Sequence, residues 1–89
     1  MFTNKMVINV IRKIISNSLG EDLVLHIDSK GNLSCDEITL KCIKDDLESF
    51  FDCSIISINH NKTLNFYKII KEINDVYEID GANINNITL

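Results

Sequence analysis

The chain contains no proline, and its only glycines are Gly20, Gly31 and Gly81. Sandwiches and barrels turn back every few residues and draw on both residue types to do so. Their scarcity therefore favours helices joined by few connections. Eighty-nine residues make one domain. Apolar residues supply 45% of the chain and the net charge is only −4, so it can bury one core and is not a disordered chain.

Three segments carry helical spacing. In residues 3–19, Val7, Val10, Ile11, Ile14, Ile15 and Leu19 recur at three- and four-residue steps along one face. Thr3 or Asn4 can cap the start, and Gly20 stands where a left-handed helix stop is common. In the second segment Leu40, Ile43, Leu47 and Phe50 or Phe51 form the stripe, with Ile38 beside it and Cys42 near it as a small core residue. Ser34 and Glu37 are spaced as an S-x-x-E capping box, which makes Ser34 the expected N-cap. The third helix runs from about Leu64 to Tyr77, with Thr63 as its cap. Leu64, Tyr67, Ile70 and Ile73 mark its inner face, and Phe66 and Ile69 adjoin it.

Two connections are ambiguous. Residues 23–27 alternate as a short strand would, although a loop pinned by its apolar residues fits equally well. Residues 53–62 (CSIISINHNK) suit either a strand or a connector with a short helix, closed by a turn over residues 59–62. After Tyr77 the chain is Asn-rich and loses periodicity. Residues 78–89 therefore read as a tail, docked at most through Ile84 and Ile87, and residues 1–77 as the domain.

Charge is unevenly distributed. Residues 1–20 carry +3 from Lys5, Arg12 and Lys13, and the remainder carries −7. An acidic body repels phosphate backbones, which argues against nucleic acid and for a partner with a basic surface. Cys35, Cys42 and Cys53 are odd in number and lack C-x-x-C spacing, which fits free thiols in a reducing cytoplasm. Together with His26 and His60 they lack the close ligand pairs of zinc sites, so no metal is expected. Cys35 stands beside Asp36 and Glu37, whose charges disfavour the thiolate a nucleophile needs, so no enzyme activity is expected. The apolar runs are too short to span a bilayer.

Three pieces of the chain, in order, resemble the acyl carrier protein family. Val10-Ile11-Arg12-Lys13-Ile14-Ile15 closing on Leu19-Gly20 is similar to that family's first helix. Leu47-Glu48-Ser49-Phe50-Phe51-Asp52 resembles the L-E-x-x-F-D ending its second, and Thr63-Leu64 the T-V opening its last. The resemblance spans roughly residues 4–73. It implies an all-α bundle of three main helices plus one short helix. It also implies carriage of acyl groups on 4′-phosphopantetheine in fatty-acid, polyketide or related synthesis.

The family attaches that arm to the serine of D-S-L at the start of the second helix. Counting back from Leu47-Glu48 without gaps, the motif falls on Asp36, Glu37 and Ile38. A carboxylate cannot take the phosphodiester link, so Glu37 leaves the position unchargeable; Ser34 is a poor substitute. No bound cofactor is therefore expected. The family docks its enzymes on the acidic second helix, which here points to Asp45, Asp46 and Glu48. The expected role is an uncharged, monomeric docking or regulatory homologue. The alternative is a small α+β interaction module in which residues 23–27 pair with 54–58.

Overall fold

The computed structural model describes residues 2–58 and 63–79. His60, the expected turn over residues 59–62 and the tail from residue 80, with Ile84 and Ile87, lie outside the described residues.

The three main helices form where the apolar spacing calls for them. Helix α1 is Asn4–Leu19, α2 is Glu37–Phe51 and α3 is Phe66–Val76. Thr3 caps α1, its Oγ1 accepting the Met6 N–H at 3.2 Å. Gly20 ends it at φ 75°, donating its N–H to Ser16 O. The buried faces are Val7, Ile11 and Ile15 of α1, Leu40, Ile43, Leu47 and Phe51 of α2, and Phe66, Ile69, Ile70 and Ile73 of α3. Helix α1 packs against both other helices. Near its start, the Asn74 amide of α3 donates to Asn4 Oδ1 at 2.7 Å.

The all-α expectation needs correction. Strand β1 (Asn32–Ser34) pairs antiparallel with β2 (Thr63–Asn65), Leu33 facing Leu64, so the domain is a small α+β fold. The strands are not those the alternation suggested. Residues 23–25 form one 3-10 turn, in which Leu23 is buried but Leu25 is 72% exposed, so the two never share a face. In residues 54–58 the inward positions are Ile55 and Ile58, three apart, while Ile56 is 83% exposed. That spacing does not fit a strand, and no helix forms over residues 53–58 either.

The sheet also moves both caps. Ser34 is paired with Thr63 in the sheet, so α2 begins later, and its N-cap is Asp36, not Ser34. Asp36 Oδ1 accepts the Thr39 N–H at 2.8 Å and Oδ2 the Thr39 hydroxyl at 3.0 Å. Thr63 likewise lies in a strand, and Asn65 caps α3 by accepting the Lys68 N–H at 3.0 Å. The Asn65 amide reaches back to Lys30 O and Asn32 Oδ1, fastening β2 to the turn before β1.

The correction is testable. Asp36→Ala is expected to lower the melting temperature by a few degrees, while Ser34→Ala leaves it nearly unchanged. The bonds from Thr39 hold the Asp36 carboxyl below its ordinary range. Its contribution is thus present above that range and fades as pH falls through the lowered value. Thermal melts at pH 7 and pH 2 check both points, because the Asp36→Ala deficit should shrink in acid.

The long connection between α1 and β1 is held by side chains. Arg12 grips Asp22 with two bonds of 3.0 and 2.6 Å. Asp22 in turn caps the 3-10 turn through Val24 N–H, and Leu23 N–H donates to Ser16 Oγ at 2.8 Å. Part of the basic charge of α1 is therefore internally matched.

Candidate functional site

Strand β1 delivers the chain to the start of α2, where the three motif positions lie. Asp36 is exposed and occupied as the cap. Glu37 is the first helical residue and is also exposed; with Asp36 as cap it completes no capping box. Ile38 is 78% exposed and contributes nothing to the core beside which it was expected. A carboxylate in the first turn of a helix is favoured by the unpaired N–H groups there. Ser34 lies exposed in β1, before the helix.

A groove of about 330 Å³ runs along α2 from Glu37 to Glu48. Its apolar floor is Leu40 and Ile58. Around it stand Glu37, Asp45 and Glu48 together with Lys41 and Lys44, so its rim carries a net single negative charge. Lys41 lies 3.4 Å from Asp45, one turn along. The groove is thus an amphipathic slot rather than a strongly acidic surface. Exposed pairs of this kind contribute little to stability.

The three acidic residues expected to dock a partner divide between two places on α2. Asp45 and Glu48 line the groove, three residues apart on one side of α2. Asp46 is turned towards α1 and borders a separate shallow depression with Ile14, Asn17 and Phe50. Glu48 is also engaged, accepting the Ile55 N–H at 2.8 Å.

Cys35 is half-buried just before the cap. Burial foremost, and the Asp36 charge next, push its thiol up. Cys53 is pushed up by burial and then by Glu72, Glu48 and Asp52. Cys42, expected in the core, is exposed on α2, because its position falls outside the Leu40–Ile43–Leu47 stripe. All three thiols are free. His26 meets Glu21 at 2.8 Å. Among the described residues no three His, Cys, Asp or Glu side chains converge as a metal site would require.

Glu72, on α3, was not singled out from the sequence. Its carboxylate accepts the Ile56 N–H at 2.5 Å, the Ser57 N–H at 2.8 Å and the Ser57 hydroxyl. These contacts join residues fifteen and sixteen apart in the chain, and no local pattern announces them. Among the described residues no helix is long and apolar enough to cross a membrane.

Comparison of the chain with protein-family models, with curated proteins and with solved structures returns no match.

Proposed function

We propose that this chain is an acyl-carrier-like docking domain that carries no phosphopantetheine. The observation behind this reading is the start of α2. Glu37 is exposed at the first helical position, directly after the capping Asp36 and before the exposed Ile38. Carriers resembling this chain present D-S-L there, and the chain presents D-E-I. The order of three main helices supports the same reading.

The domain then acts by docking alone, through Glu37, Asp45 and Glu48 beside the apolar floor of the groove. Its partner offers cationic side chains for those carboxylates and an apolar side chain for the slot, as an acyl-transfer or synthase enzyme of a carrier pathway would. Such binding weakens with salt. Unpaired cysteines suit work in the cytoplasm.

The two-stranded sheet favours a second reading, an α+β interaction module unrelated to carriers. One experiment separates the two. The protein and its Glu37→Ser variant are incubated with coenzyme A and a broad-specificity phosphopantetheinyl transferase, and intact masses are recorded. The wild type is expected to stay unchanged and the variant to gain one arm. Modification of the wild type would sink the uncharged role. A variant that stays unmodified while folded sinks the carrier reading in favour of the second.

A further inference from the structure

The connector after α2 has no regular structure of its own, yet three consecutive backbone donors in it are held by side chains. Ile55 N–H goes to Glu48 of α2, and the Ile56 and Ser57 N–H groups and the Ser57 hydroxyl go to Glu72 of α3. Two carboxylates on two different helices thus hold consecutive residues of one segment. Two apolar pins assist them, since Ile55 and Ile58 are buried while Ile56 between them points outward. Ile58 is also half of the groove floor.

We propose that residues 54–58 form a latched strap that opens as a unit, widening the groove along α2 while the three-helix body stays folded. Hydrogen bonds to a carboxylate are stronger than neutral ones, so the latch is firm while made. The donors it releases lie at or near the surface, where water can replace the lost bonds. Releasing the strap withdraws Ile55 and Ile58 from the apolar cluster they share with the helices, whose remaining members include the buried residues of α1, α2 and α3. Irregular segments whose backbone is held by side chains rather than by a helix or sheet ladder can open below the cost of global unfolding. The other charged groups around the latch are Lys68, Lys71 and Asp75 on α3, which border the strap with Glu72, and Lys44, Asp45 and Asp52 near Glu48 on α2. Of the α3 lysines, Lys71 lies 3.4 Å from Asp75. The strap's gating does not depend on the carrier reading.

Native-state hydrogen exchange by NMR on the full chain tests it. In the wild type the Ile55, Ile56 and Ser57 amides are expected to exchange together, and faster than Ile11 and Ile15 of α1. Glu72→Ala should accelerate Ile56 and Ser57, and with them Ile55, whose own acceptor Glu48 is untouched, by at least about tenfold and leave Ile11 and Ile15 unchanged; acceleration confined to Ile56 and Ser57 would overturn opening as a unit. Glu72→Gln, which keeps one acceptor oxygen, should fall between them. Methyl relaxation dispersion should show Ile55 and Ile58 exchanging together while Ile11 stays quiet. Strap amides that exchange only at the rate of the α1 core overturn the proposal, as does an Glu72→Gln variant with unaltered strap exchange. If Glu72→Ala accelerates strap and core alike, Glu72 is a global stabiliser and the latch is refuted.

Discussion

Gly31→Ala is expected to lower the stability of the domain by about 2–5 kcal/mol, seen as a large drop in the urea midpoint. Two costs combine. Gly31 has φ +83°, a left-handed backbone that costs an L-residue with a Cβ about 1–2 kcal/mol. A Cβ there would also stand 2.6 Å from Tyr67 Cδ2 and 2.8 Å from Cε2. Those atoms belong to the ring, so the whole side chain must swing away, at about 1–3 kcal/mol for overpacking. The neighbourhood resists, because Gly31 N–H donates to Asp28 O and its carbonyl accepts the Phe66 N–H that opens α3. An 89-residue domain commands roughly 5–13 kcal/mol in all, so this one methyl group removes a large share. Pairing the change with Tyr67→Ala separates the terms. The double variant should lack the clash component and keep the backbone component. A Gly31→Ala midpoint close to the wild type would mean that the turn does not have the conformation described.

Gly31 also marks the limit of what the sequence disclosed. Residues 28–32 (DSKGN) are turn-forming types, and they make a turn: Asp28 Oδ1 accepts the Lys30 and Asn32 N–H groups. What followed the turn was illegible. Strands β1 and β2 are three residues each and bury one leucine apiece, Leu33 and Leu64. Three residues are too few to show an alternating pattern, while the longer alternation at 23–27 was a coincidence of a 3-10 turn and a loop. Missing the pairing then cost the caps, since Ser34 and Thr63 are sound cap residues in sequence and strand residues in fact. The helices themselves were legible because apolar spacing repeats over four turns in α1 and α2.

The site was legible in part for the same reason. Glu37 at the first turn of α2, and Asp45 with Glu48 on one side of that helix, follow from helical phase alone. Asp46 departs from that side by the turn of one residue, which phase could have shown. The groove floor at Ile58 and the grip of Glu72 on Ile56 and Ser57 join separate segments, and periodicity carries no information about them. The same holds for the function. That Glu37 stands where carriers resembling this chain have their serine is read from sequence alone, whereas the groove proposed for docking exists only once the connector folds against α2.

Phe51→Ala is expected to cost about 3–5 kcal/mol, and Phe50→Ala no more than about 1.5. Apolar spacing left the two undecided, because both follow Leu47 at a helical interval. In the folded chain Phe51 is fully buried and Phe50 is 51% exposed. The Phe51 ring meets Phe2 edge-on at 5.3 Å, with Phe50 at 5.0 Å and Tyr77 at 6.3 Å. It is therefore the centre of an aromatic cluster joining the residues before α1, the end of α2 and the residue after α3. Removing it leaves a cavity where three segments meet, and the surroundings can close it only by shifting a helix end. The Tyr77 hydroxyl donates to the Phe51 carbonyl, a backbone bond that survives the substitution. The loss thus reports packing rather than hydrogen bonding. Phe51→Leu, which restores much of the volume, should recover more than half of the deficit. Urea titration gives the energies, and the ring resonances of Phe2 and Tyr77 should move towards their unstructured positions in Phe51→Ala but not in Phe50→Ala. Equal losses from the two alanine variants would place both rings in the core and contradict the helical phase of α2.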